Sequence, residues 1–313
     1  MLPSDSGSFR FFRFSGIQVY VHWSWFLVAW IEISARRANY ASPTWNIAEY
    51  LAIFLIVLLH EFGHAFACRQ VGGQANEIVL WPLGGVAYVR PPSRPGAELW
   101  SIAAGPLVNV VLVPVLFGVV WFCRTQGWIE TEPDLRRFLA DLIVINFVLL
   151  AFNLLPIYPL DGGQILRSLL WFGLGRGRSL QVASIIGFLG VAALVGLAFW
   201  QGSIWMGIMA LFVGHRCYVG FRSAQAMLAV DRLPRHSGFA CAACGQPPPS
   251  VPVWLCAACG HRFDAFATRG VCPHCQTILP SIACVHCGAA HPFERWEKFP
   301  GRRPAGEAPV IDV

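Results

Sequence analysis

The sequence predicts an α-helical multi-pass membrane protein with about six transmembrane helices, a short membrane-embedded β-hairpin and a small cysteine-rich domain at the C-terminal end. Three observations predict it. Of the 313 residues, 56% are hydrophobic and only 13% charged, about half the charge of an ordinary soluble domain, and mean hydropathy is +0.54. Six apolar runs reach the roughly 20 residues that cross a bilayer. After residue 232 the composition changes, no further spanning run occurs, and four C-x-x-C pairs follow.

The runs lie near 17–34, 48–70, 99–122, 138–157, 182–200 and 203–221. Arg10 and Arg13 precede the first, which has no small-residue cleavage site, so no cleavable signal peptide is expected. Between the second and third, Glu77 to Val89 is β-branched and aromatic around Pro82 and Gly84-Gly85, which predicts a hairpin. Non-helical backbone survives at membrane depth only where it is buried in protein or lines a wet cavity, so this hairpin should border a functional site. The fifth and sixth runs meet at Gln201-Gly202 in a tight turn.

With a cytoplasmic N-terminus, the inside loops hold Arg10, Arg13, Arg69, Arg90, Arg94, Arg167, Arg176, Arg178, Arg216, Arg222, Arg232 and Arg235. The outside loops hold Arg36, Arg37, Arg124, Arg136 and Arg137. The bias places both termini in the cytoplasm. Trp121, Trp128, Trp200 and Trp205 then fall at the outer interface. Glu32, Glu49 and Asp141 sit near span ends, where they reach water. His22, His215, Cys68, Cys123 and Cys217 read as structural.

The chemistry concentrates in His60-Glu61-Phe62-Gly63-His64, an H-E-x-x-H motif following the uncharged run Leu51–Leu59. Residues four apart share a helix face, so His60 and His64 can aim two imidazoles at one metal ion, with Glu61 as general base on a bound water. Ionisable groups at that depth are costly without a function. A catalytic zinc site takes three protein ligands. The candidate for the third is Asp161, in Asn153-Leu-Leu-Pro-Ile-Tyr-Pro-Leu-Asp-Gly-Gly163, where Pro156 and Pro159 break the helix and Gly162-Gly163 let the chain turn closely. The topology puts Asp161 and His64 at one depth near the cytoplasmic side.

Together these residues resemble the site-2 protease family of intramembrane zinc metalloproteases, in its compact six-span form. The first motif is His60–His64. Asn153, Pro156, Pro159, Leu160, Asp161 and Gly162 resemble the second, Pro82-Leu83-Gly84-Gly85 the family's membrane-embedded hairpin, and Ala104-Gly105-Pro106-Leu107-Val108-Asn109 a further recurrent segment. The likeness covers about residues 15–225. It implies a zinc held by His60, His64 and Asp161, Glu61 as general base, and Asn153 as a residue that positions substrate or oxyanion. Asn109 could do the same from the third span, but packing between helices is the favoured reading. The 78–89 hairpin could offer an extended substrate a strand edge.

Cys241/Cys244, Cys256/Cys259, Cys272/Cys275 and Cys284/Cys287 supply eight thiolates, enough for two structural zinc sites of four cysteines each. The region resembles a double zinc ribbon. Short gaps favour sequential pairing of the first two and last two C-x-x-C units, with an interleaved cross-brace as the alternative. Gly245, Gly260 and Gly288 follow three of the pairs. The domains expected are 1–232 (membrane protease), 233–299 (double ribbon) and 300–313 (disordered tail).

The function implied is zinc-dependent hydrolysis of peptide bonds in or near transmembrane segments of membrane-protein substrates, with one catalytic and two structural zinc ions, in the cell membrane. The ribbon, without a dense basic run, suits protein recognition of substrate tails or a regulator better than nucleic acid. The competing class is a catalytically silent anchor presenting a zinc-ribbon adaptor.

Overall fold

A computed structural model describes residues 7–35, 39–81 and 84–297. Arg36, Arg37, Pro82, Leu83 and the tail from Pro300 lie outside them. The chain divides into two compact units, the first ending at Arg222 and the second beginning at Ser223.

In the first unit, strands β1 (Ser8–Phe14) and β2 (Ile17–His22) lead into helix α1 (Ser24–Ala35) and helix α2 (Pro43–Gln70). Strands β3 (Gln74–Trp81) and β4 (Gly84–Arg90) come next. They are followed by α3 (Pro95–Thr125), the short α4 (Trp128–Thr131), α5 (Pro133–Leu154), α6 (Asp161–Leu174), α7 (Arg176–Gln201) and α8 (Ile204–Asp231). Among the described residues five helices, α2, α3, α5, α7 and α8, are long and apolar enough to cross a membrane.

The first expected span is therefore corrected: it is a strand followed by a 12-residue helix. A buried strand and a buried helix read alike as an apolar run. The composite still covers the length of α2. Gly16, before β2, accepts a hydrogen bond from Arg69 at the C-terminal end of α2. Further along, Trp25 accepts one from Tyr50, nearer its N-terminus. At ~3.3 Å per strand residue and 1.5 Å per helix residue, β2 and α1 extend about 38 Å, against about 42 Å for α2.

The four strands form one sheet in the order β1-β2-β3-β4, antiparallel except for the parallel β2–β3 pair. The expected hairpin is β3–β4, so the interior strand β3 offers no free edge and β4 does. Ile17, Val19 and Val21 of β2, with Ile78 and Leu80 of β3, pack on Leu58, Phe62, Ala65 and Cys68 of α2. Burying each large aliphatic side chain contributes about 1.5–3 kcal/mol, so this core fixes the sheet against the His60–His64 turn of α2. The Ser42 side chain caps α2, Pro43 occupies its first turn, and Gly72, at φ +85°, turns the chain into β3.

Helix α5 stops at Leu154 and α6 starts at Asp161, so the prolines break the helix where expected. A Cβ on Gly162 would lie 2.3 Å from Leu154 O, and one on Gly163 2.3 Å from Tyr158 N. The glycines therefore let α6 begin hard against the preceding loop. From the far side, Gly187 of α7 and Gly220 of α8 close on Tyr158, and the Cys217 thiol donates to Tyr158 O at 2.8 Å. Glu49, expected at water, is only 2% exposed. Trp121, Trp128, Trp200 and Trp205 are exposed.

The second unit is held by an aromatic core of Phe239, Trp254, Phe266, Phe293 and Trp296 with Ile282. Its sheets are two-residue hairpins, β5 (Trp254–Leu255) with β6 (Arg262–Phe263) and β7 (Ile282–Ala283) with β8 (Ala290–His291).

Candidate metal centres

His60, His64 and Asp161 converge. His60 Nε2 lies 3.1 Å from His64 Nε2 and 3.0 Å from Asp161 Oδ2, and His64 Nε2 lies 3.3 Å from that oxygen. Helix spacing on α2 aligns the imidazoles, and the start of α6 brings the carboxylate. Both histidines are 7% exposed.

The tautomers follow from the partners. His60 Nδ1 meets Asn109 Oδ1 at 2.7 Å, and His64 Nδ1 meets the Ser101 carbonyl at 2.9 Å. Both partners accept, so both Nδ1 atoms carry the proton and both Nε2 atoms present bare lone pairs. The Asn109 amide orientation is itself fixed. Asn146 Nδ2 donates to the Asn109 carbonyl at 3.0 Å, so Asn146 Oδ1 must accept from Asn109 Nδ2 at 2.8 Å, which turns Asn109 Oδ1 to His60. Both asparagines are fully buried.

Three acceptors facing one another at about 3 Å repel unless a cation joins them. Tetrahedral zinc with bonds near 2.05 Å sets its ligand atoms about 3.3 Å apart. Two imidazoles and a carboxylate with a remaining open position are a fitting donor set for zinc. Gly105 of α3 completes the wall. A Cβ there would stand 2.2 Å from His64 Nε2 and 2.8 Å from His60 Nε2. Gly63 likewise brings α2 onto α3, its Cβ position 2.6 Å from Ala104 O.

Glu61 is buried beside the ligands, and its Oε2 accepts from the Ala87 N–H of β4 at 2.8 Å. The hairpin thus borders the site, as expected. Asn153 sits half-buried in the last turn of α5, and no described contact links it to the ligands. Sequence reasoning missed Asn146 and the Ser101 carbonyl, noted Gly105 only as part of a recurrent segment, and favoured packing over a positioning role for Asn109. An asparagine inside an apolar span needs a partner, which was the available signal for Asn109 and Asn146.

In the second unit the eight cysteines form two groups, Cys241, Cys244, Cys284 and Cys287, and Cys256, Cys259, Cys272 and Cys275. The arrangement is nested, so neither sequential pairing nor the cross-brace occurs. Gap length decided little, because closing the longer loop costs only about 1 kcal/mol more. The shared aromatic core and the Ala240–Trp296 backbone bond bring first and last segments together. Each C-x-x-C turn repeats one geometry, shown by Gly245 N to Cys241 O and its three equivalents at 2.8–2.9 Å. The residue after each pair is left-handed: Gly245, Gly260, Gln276 and Gly288, at φ +71°, +70°, +59° and +78°. The hydroxyl and backbone amide of Thr277 draw the Cys275 thiol down to about 6, toward the thiolate that ligates metal.

The sequence matches the model of peptidase family M50 over residues 48–134 and 130–197. It is 32% identical to a zinc metalloprotease of Methanocaldococcus jannaschii over 226 residues, 72% of this chain and 63% of that one. It is 27% identical to Rip3 of Mycobacterium tuberculosis, over 78% of this chain and 65% of that one. The chain thus spans a little under two thirds of the length of these curated relatives. The solved site-2 protease of Methanocaldococcus jannaschii superposes with a TM-score of 0.50 at 27% identity, covering 68% of this chain and 95% of that one. With five spanning helices, the H-E-x-x-H turn and the broken α5–α6 segment on one site, this membrane protein belongs, through its membrane part, to peptidase family M50, the family of the site-2 proteases.

Proposed function

We propose that the chain is an intramembrane zinc metalloendopeptidase that cleaves membrane-protein substrates in or near their transmembrane segments. The observation that carries this is the convergence of His60 Nε2, His64 Nε2 and Asp161 Oδ2 with both Nδ1 atoms engaged by acceptors. His60, His64 and Asp161 would hold the ion. Zinc bound there would supply Lewis acidity toward the scissile carbonyl and would make an attacking water more acidic. Glu61 takes the water's proton and returns it to the leaving amine. Its hydrogen bond from Ala87 N orients the carboxylate. Asn109 and the Ser101 carbonyl hold the imidazoles in register. Asn153, in the last turn before the break, takes a role in positioning substrate.

Strand β4 is the edge of the sheet on the side of Glu61. Ala87 donates away from β3 to that carboxylate, and alternation puts the backbone of Gly85 and Val89 on the same edge. A substrate unwound into an extended strand pairs there and meets the base. The Arg distribution supports cytoplasmic termini. The nested cysteine clusters support two further zinc ions in a double ribbon over 233–299, whose role is recognition of substrate tails or a regulator. The complete donor set and base weigh against a silent anchor. The test compares membranes carrying the wild-type chain with membranes carrying Glu61→Gln. New protein N-termini inside or beside membrane segments are expected only with the wild type. Identical sets of termini would defeat the proposal.

A further inference from the structure

The three candidate ligands ride on two helices, α2 and α6, and α3 is the element that both must meet. It fixes His60 through Asn109 and His64 through the Ser101 carbonyl. Among the described residues, Asp161 bonds to His60 and His64 and has no such bond to α3. What ties α6 to α3 is a buried ion pair, Arg167 Nη1 to Glu98 Oε1, with side chains 10% and 15% exposed. Among the described residues it is the one ion pair between these helices.

Its position matters. Glu98 lies seven residues before Gly105, whose Cα carries the wall of the metal site, about 10.5 Å along α3. Arg167 lies six residues after Asp161, about 9 Å along α6. The helices therefore run antiparallel and share two rungs about 10 Å apart, the ligand cluster and the ion pair. On a packed helix pair, a second polar rung fixes register and tilt more tightly than one does. The Arg167 guanidinium also lies 5.9 Å from the Trp171 ring, and its Nε is buried with no hydrogen-bond partner. Arg167 is thus committed to Glu98 in a setting where a lone charge is costly.

We infer that Glu98 and Arg167 are positioning residues that hold Asp161 in the metal site, so that the third ligand's contribution depends on a contact about 10 Å away. The inference rests on the metalloprotease reading. The test is a double-mutant cycle on the purified full chain in detergent, with the cysteine sites filled by zinc and the affinity of the membrane-site zinc read by chelator competition. Arg167→Met is expected to weaken that affinity roughly ten- to hundredfold. In the Asp161→Ala background, where His60 and His64 bind zinc too weakly to keep it through purification and affinity is read by titrating zinc back, it should change affinity by less than about threefold, since the ligand it positions is gone. Glu98→Gln, nearly isosteric and gentler on the fold, should behave the same way. The exchanged pair Glu98→Arg/Arg167→Glu should recover most of the loss. Equal losses with and without Asp161, or no loss in variants that fold, would overturn the inference and leave the pair a structural bond. A wild-type chain holding no zinc beyond the cysteine sites would instead overturn the metalloprotease reading.

Discussion

Asn109 is where the site's electrostatics and its packing meet, and replacing it separates them. Asn109→Ala strips His60 Nδ1–H of its acceptor and Asn146 Oδ1 of its donor, both in a region closed to water. Each buried group left unsatisfied costs about 1–3 kcal/mol, so the fold should lose about 2–6 kcal/mol. His60 can relieve its share by moving its proton to Nε2, but that removes the lone pair the metal needs. Zinc affinity should therefore fall roughly ten- to hundredfold, the usual cost of losing a histidine's outer partner. Asn109→Asp keeps an acceptor for His60 while facing Asn146 Oδ1 with a second acceptor. It should lower stability yet hold zinc within about threefold of wild type. The assay is chelator competition for the membrane-site zinc beside thermal unfolding of the purified chain. The reasoning is refuted if Asn109→Ala keeps wild-type affinity, or if Asn109→Asp loses zinc as severely as Asn109→Ala does.

Four further outcomes follow from the geometry. Gly105→Ala puts a methyl 2.2 Å from His64 Nε2, so zinc binding in the membrane unit should be lost while the cysteine sites stay filled, as metal analysis of the two ligand classes would show. In the nested ribbon, Cys241→Ser and Cys284→Ser should cost the same zinc ion, and combining them should cost no second ion. Native mass spectra counting two lost ions would contradict the nesting. Gln276→Gly should stabilise the ribbon and Gly288→Ala destabilise it, each by about 1 kcal/mol, because both sit at left-handed φ. Unfolding midpoints moving the other way would refute that account. On β4, Val89→Pro removes an outward donor without touching the β3 ladder, a substitution edge strands tolerate. Turnover should drop with zinc content unchanged, and unaltered turnover would remove β4 as the substrate's edge.

The sequence carried the candidate ligand set because the two motifs encode it in local form. An i, i+4 histidine pair needs only a helix, and Pro156, Pro159 and Gly162-Gly163 announce a break that frees Asp161. The hairpin was legible through its β-branched residues and central turn. What escaped was non-local. The first apolar run hides a strand, because pairing with β1 and β3, not composition, makes residues 17–22 extended. The Ser101 carbonyl that fixes His64 belongs to the backbone, and no side-chain pattern reports it. Gly105 matters for the space it leaves. The cysteine nesting depends on an aromatic core assembled from residues 239 to 296, and the modest cost of a longer loop made gap length a poor guide. The left-handed position after each C-x-x-C pair was visible in three glycines and concealed by Gln276 in the fourth.

The most direct test counts zinc. The full-length chain, purified in detergent, should carry one more zinc than Asp161→Ala, while Glu61→Gln should keep the wild-type count and lose all peptide-bond cleavage. An equal count in wild type and Asp161→Ala, with both folded, would mean that His60, His64 and Asp161 hold no ion and that the account of this membrane site is wrong.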